Sequence, residues 1–203
     1  MYTDASAVER SRTFTETARR AQIVQAAIAT IAEVGYHNAS FARIAKRAGL
    51  SSTGLISYHF EGRDDLISEV VGEIVGAMGA FMAKRMSGCS GPTEALRAYI
   101  EGNVEFIGAH QTDMKALVDI FMNGGFAYDA TTEAAVVSPI EGILAAGQAS
   151  GEFRQFDNKV MATLVQRAVD GLPFLLAADP TIDVASYAAE VVTVFDLATR
   201  AQP

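Results

Sequence analysis

From near Thr15 almost to the end of the chain, apolar side chains return at steps of three and four. No stretch alternates apolar with polar long enough to make a strand. A chain with this period buries its apolar surface by packing helix on helix, so the expected fold class is all-α. Over 15–34 the stripe is Ile23, Ala26, Ala27, Ala29 and Ile31, and Gly35 supplies a stop. Ser40 can cap a second helix that runs through Ile44 and Ala45 and ends at Ala48-Gly49. A third, over 53–60, is broken by Glu61-Gly62. A long helix follows, with Asp64 and Asp65 in its first turn and a stripe of Leu66, Ile67, Val70, Val71, Ile74, Met78, Phe81 and Met82. After the loop at 87–92 the pattern predicts helices near 92–110, 112–122, 129–149, 158–178 and 181–199. Pro139 and Pro173 fall inside two of these and are expected to kink or break them.

The first three helices have the layout of a helix-turn-helix. Ile44, Ala45, Ala48, Leu50 and Ile56 would pack helices two and three together across Ala48-Gly49-Leu50-Ser51, with small residues allowing close approach. A third helix of about nine residues would be roughly 13 Å long, which suits a major groove about 12 Å wide. Thr53, Leu55, Ser57, Tyr58 and His59 fall on its outer positions. Hydroxyls there can read base edges or phosphates, and an apolar group can sit on a thymine methyl.

Charge looks unfavourable to that reading, because 203 residues carry 24 acidic against 16 basic side chains, a net of −8. Its distribution reverses the argument. Residues 1–63 hold 8 basic and 5 acidic side chains, a balance of +3, and residues 64–203 hold 8 and 19, a balance of −11. An acidic body repelled by phosphate favours docking through the basic end. Arg10, Arg12, Arg19 and Arg20 are a candidate minor-groove arm or simply a solvated tail.

Other classes find little footing. One cysteine excludes an internal disulfide framework and fits a reducing cytoplasm. His37, His59 and His110 are too dispersed for a helical metal pair, so no metal and no cofactor is expected. Neither a phosphate-binding glycine loop nor a serine elbow is present, and an enzyme is not expected. The polar start, Met1-Tyr2-Thr3-Asp4, lacks a signal-peptide core, and uncharged runs such as 74–83 and 171–178 fall short of the roughly 18 residues that span a bilayer. The expectation is a soluble cytoplasmic protein with no membrane partner.

Ala26-Ala27, Gly35-Tyr36, Ser40, Ile44-Ala45, Ala48-Gly49-Leu50-Ser51 and above all Gly54-Leu55-Ile56-Ser57-Tyr58-His59-Phe60 resemble the DNA-binding domain of the TetR family of transcriptional regulators. The resemblance covers about residues 15–68, and the later Gly147-Gln148-Ala149-Ser150-Gly151-Glu152-Phe153-Arg154 is similar to the family's turn between its last core helices. It implies a homodimer. Residues 1–63 would be a three-helix DNA-binding domain on a palindromic double-stranded operator, and residues 64–203 a helical domain for effector binding and dimerisation. By family position Ser40, Arg43, His59 and Arg63 would meet phosphates, and Thr53, Gly54, Leu55, Ser57 and Tyr58 would face bases or backbone. The turn carries one residue more than usual, which leaves Ser51 or Ser52 as the cap of the recognition helix. Phe60 is expected in the core.

The same resemblance places Phe81, Met82, Tyr99, Phe106, His110, Met114, Phe121, Met122, Phe126 and Phe174 on helices that surround a small-molecule effector. Bulky aromatic and adaptable methionine side chains suit such a site, and equally suit an ordinary helical core. Asp119, Glu141 and Asp170 stand in apolar surroundings, where a carboxylate is costly unless paired; each is a candidate for a cationic ligand or a helix partner. By analogy the last two helices form the dimer's four-helix bundle. One stripe is Val160, Leu164, Ala168, Leu172 and Leu175; the other is Val184, Tyr187, Ala188, Val191, Val194, Phe195 and Ala198. The expected function is a ligand-responsive repressor; the alternative is an all-helical adaptor or enzyme-accessory protein that no longer binds DNA.

Overall fold

The computed structural model describes residues 14–127 and 129–201. Ten α-helices carry the described chain: α1 Phe14–Val34, α2 Phe41–Arg47, α3 Gly54–His59, α4 Arg63–Met86, α5 Pro92–Ala109, α6 Gln111–Met122, α7 Ala130–Ser150, α8 Asn158–Asp170, α9 Leu172–Ala178 and α10 Val184–Thr199. A short 3₁₀ turn, Tyr36–Asn38, joins α1 to α2. The one β feature among the described residues is an isolated antiparallel bridge between Phe153 and Arg200.

Local chemistry explains most of the ends. Ser40, Asp129, Asp157 and Asp183 each accept backbone N–H bonds at the starts of α2, α7, α8 and α10. Pro92 sits in the first turn of α5, where its missing N–H costs nothing.

Two apolar clusters hold the helices. The first gathers Ile23, Ile31, Ile44, Ile56, Phe60, Leu66 and Ile74 from α1–α4 and continues through Phe106, Ile120 and Leu172. The second joins Leu96, Ile100, Ile140, Leu144, Phe153, Val165 and Phe195. Helices α5 and α8 contribute to both, so the N-terminal helices share their core with the body.

The expected apolar stripes on the last helices need correction, and of the two prolines one marks a helix break and one does not. Pro139 lies inside α7 without ending it. Its ring is exposed, so the carbonyl it leaves unbonded can be hydrated. Pro173 behaves as expected: the predicted helix over 158–178 breaks at Gly171, and the proline takes the first turn of α9. On α10 the predicted outward stripe mostly faces in, with Phe195 buried and Val184, Tyr187, Ala188, Val191 and Ala198 packed on the core. The outward residues are Val194 and Leu197, which with Val160, Leu164, Phe174 and Leu175 leave an exposed apolar surface across α8, α9 and α10. Leu172 of the first stripe is buried.

By length and composition Arg63–Met86 and Asn158–Ala178 are apolar enough to cross a membrane, although no uncharged run reaches that length. In the fold α4 turns Leu66, Ile67, Val70, Val71 and Ile74 into the core, and the second stretch is two helices.

Candidate nucleic-acid interface

The candidate interface begins at Ser40, whose hydroxyl accepts the Arg43 N–H at 3.4 Å and starts α2. The helix ends in a Schellman turn: Gly49 N–H donates to Lys46 and Leu50 N–H donates to Ala45, at 3.2 and 2.9 Å. Gly49 has φ +64°, a conformation that L side chains rarely adopt. Gln22 on α1 donates its amide to the Ala48 carbonyl at 2.7 Å and fixes where α2 stops.

The extra residue in the turn falls before α3. Thr53 takes the N-cap position without a side-chain bond, and neither Ser51 nor Ser52 caps the helix. Helix α3 has 6 residues, shorter than expected, because Phe60 is already extended and turns its ring inward. At 1.5 Å per residue it is about 9 Å long.

On the outer face Ser40, Arg43, Ser52, Thr53, Gly54 and Ser57 are exposed, and Leu55 is half-buried. Tyr58 stands 71% exposed, with its hydroxyl 3.3 Å from Glu16 and its ring edge-on to His59. Lys46 shares this surface. Ile56 and Phe60 point the other way, into the core, as expected of Phe60.

Two arginines are turned inward. Arg20 is only 9% exposed, so it cannot serve in a flexible arm. It donates to the His59 carbonyl at 2.6 Å and to Glu69 at 2.5 Å, and its guanidinium lies 4.2 Å from the Phe60 ring centre. The last turn of α3 is thereby tied to α1 and α4. Its spacing gave a signal: position 20 lies on the same helical face as Ile23, Val24 and Ala27. Arg10 and Arg12 lie outside the described residues.

Arg63 opens α4 and donates to the carbonyls of Ala39, at 3.0 Å, and Tyr36, with its guanidinium 4.5 Å from the Tyr36 ring centre. Tyr36 in turn donates its N–H to Asp119 on α6, which also accepts from Asn123. Its ring packs against Gly125, where a Cβ would lie 2.6 Å from a ring carbon. The turn ahead of α2 is therefore gripped by α4 on one side and α6 on the other.

The expected effector residues are spread over α4, α5, α6, α9 and the loops after α5 and α6. Phe106 is buried and stacks on His110 at 4.1 Å, with Phe81 at 5.6 Å and Met82 half-buried nearby on α4. Phe121 and Phe126 make a separate edge-on pair at 5.7 Å. Met122 at the end of α6 and Phe174 in the first turn of α9 point outward, 71% and 51% exposed. Met114 lines an open cleft of about 610 Å³, and the others do not.

Of the acidic candidates, Asp119 is used on Tyr36 and Glu141 is half-buried on α7. Asp170 accepts from Gln166 and Arg167, both at 2.7 Å, and Gln166 also accepts from the Tyr99 hydroxyl at 2.8 Å. Burial first, then the Asp170 charge, pushes Tyr99 up to about 12. Burial also raises the Asp170 carboxyl above its ordinary 3.8, against the opposing pull of Gln166 and Arg167. A raised folded pKa means that this group favours the fold most below its unfolded value and loses that contribution as pH rises through the folded one. Asp170→Asn is thus expected to gain stability relative to the parent between about pH 4 and pH 7. Urea midpoints at both pH values read this, and a constant difference between the two proteins would contradict it.

Residues 23–70 match the family model described as bacterial regulatory proteins, tetR family. The transcriptional regulator BetI 1 of Chromohalobacter salexigens is 42% identical over 98 residues, 48% of this chain and 48% of the relative. The chain spans about half the length of the curated relatives it matches. A transcriptional regulator from Saccharomonospora viridis, solved in complex with choline, superposes with TM-score 0.79 at 21% identity, covering 92% of this chain and 100% of that one. FadR of Bacillus subtilis, solved with stearoyl-CoA, gives 0.69 at 19% identity over 86% and 96%. These structures are similar in fold.

Proposed function

We propose that this chain, whose residues 23–70 match the tetR-family model and whose fold is similar to that of TetR-like regulators, is a homodimeric transcriptional repressor, released from a palindromic operator by a small-molecule effector. The observation that carries this reading is the outer face of α2 and α3, where exposed hydroxyls at Ser52, Thr53 and Ser57 adjoin Tyr58, Arg43 and Lys46. Such groups suit phosphate positioning from α2 and base readout from α3. Residues 1–63 would form the DNA-binding part and 64–203 the effector and dimer part, in the cytoplasm.

The exposed apolar surface of Val160, Leu164, Phe174, Leu175, Val194 and Leu197 supports dimerisation through α8–α10. In a dimer, two copies of α3 would enter major grooves about 34–36 Å apart. Effector binding favours a second state with a different spacing, and only an effector that prefers that state shifts the balance. Helix α4 runs from the DNA-binding helices into the body and is the natural lever. Choline and stearoyl-CoA in the two similar structures differ so much in chemistry that they support effector binding as such rather than one effector.

Titration against the DNA upstream of its own gene, at two salt concentrations, tests the reading. Expected is a preferred site whose affinity falls with salt. Tyr58→Ala should lose that preference without changing the unfolding midpoint. No preferred site at low salt would overturn the repressor reading.

A further inference from the structure

We infer that the open cleft bounded by α1 and α2 on one side and by α5, α6 and α9 on the other is a binding site for a small amphipathic carboxylate. The cleft measures about 610 Å³, within the range of about 300–1,000 Å³ that small-molecule sites occupy. Ala29 and Ala32 face it from α1, and their short side chains leave room beside α6. Ile107, Met114, Leu176 and Pro173 supply apolar wall for a hydrocarbon body.

The charged groups of the lining decide the sign of the ligand's head. Glu33 on α1 is paired with Arg47, the last residue of α2, so these two cancel. Lys115 on α6 is the remaining cation of the lining, and it is exposed. Asp179, beside Pro180 at the edge, is turned to the N–H and hydroxyl of Thr181. The charged side chains that line the cleft, Glu33, Arg47 and Lys115, therefore sum to one positive charge beside an apolar wall. One ammonium suits a carboxylate monoanion; a phosphate dianion calls for a second cation or an arginine fork.

The site is made jointly by the helices in front of the recognition helix and by the body. A ligand seated there touches Arg47 at the end of α2 and Lys115 on α6 at once. On the proposed regulator reading, occupancy would favour one arrangement of these helices over the other.

Calorimetry on the full chain without DNA tests the site, so its failure leaves the DNA-binding reading standing. Sodium decanoate is the probe, with decyltrimethylammonium as the same chain bearing the opposite charge. Decanoate is expected to bind once per chain. Lys115→Glu should weaken it by about fivefold or more, since charge reversal adds repulsion to a lost attraction. Ala177→Trp, at an exposed lining position, should fill the cleft and abolish binding. Thermal unfolding of both variants should match the parent. Absence of decanoate binding, equal binding of the ammonium, or unchanged affinity in both folded variants would overturn the proposal.

Discussion

Arg63→Met is expected to lower the stability of the whole protein by about 2–4 kcal/mol, with any loss of DNA binding following from that. The guanidinium donates to two backbone carbonyls and covers the Tyr36 ring. Hydrogen bonds to charged groups contribute roughly 1.5–3 kcal/mol, and a cation over a ring roughly 0.5–1 kcal/mol more at exposed sites. Methionine keeps the apolar stem and removes all of these. Because Tyr36 is also bonded to Asp119, loosening it releases α6 from the turn ahead of α2. Arg63→Lys should rescue poorly, since an ammonium lacks the fork that spans two carbonyls. Urea unfolding of the free protein is the measurement. An unchanged midpoint with weakened DNA binding would return Arg63 to the phosphate contact that its family position implies.

That result would bear on how far a sequence shows such a site. The helices were legible because the period is strong and the capping chemistry local, as at Ser40. The inward turn of Arg20 and Arg63 was not, because a charged residue is read as surface until its carbonyl partners are known. The length of α3 depended on Phe60 leaving the helix to reach the core, a tertiary effect. On α10, alanine and valine occur on several faces, so periodicity could not say that Phe195 faces in while Val194 and Leu197 face out. Bulk marks core as readily as pocket, as the buried ring of Phe106 shows.

Gly147→Ala is expected to cost about 2–3 kcal/mol, near the upper end for overpacking a core. A Cβ there would stand 2.0 Å from Cδ2 of Phe153, whose ring is 4% exposed. The ring cannot swing aside freely. Phe153 donates its N–H to the Gly147 carbonyl at 3.0 Å, and the next residue, Arg154, donates to Thr199 at 2.9 Å. The turn after α7 is thus stitched to the end of α10, so the strain reaches the helix proposed for dimerisation. Thermal unfolding should show the loss, and Phe153→Leu in the same chain should restore part of it by clearing the ring edge. A Gly147→Ala protein as stable as its parent would mean that the ring relaxes without cost.

The inward turn of two arginines also sets how such a protein would search a chromosome. Of the basic side chains before α4, Arg20 is committed to His59 and Glu69, and Arg47 to Glu33. Arg63 at the start of α4 is committed to Tyr36 and Ala39. Among the described residues Arg43 and Lys46 remain on the outer face of α2, and Arg19 on α1 donates to Gln22. Each phosphate contact releases roughly one counterion on any DNA, so a small number of free cations keeps attachment to random sequence brief. A genome offers on the order of a million or more such decoys. A regulator that commits part of its positive charge to its own carbonyls and carboxylates is sequestered less by them, and fewer copies per cell suffice to keep one operator occupied.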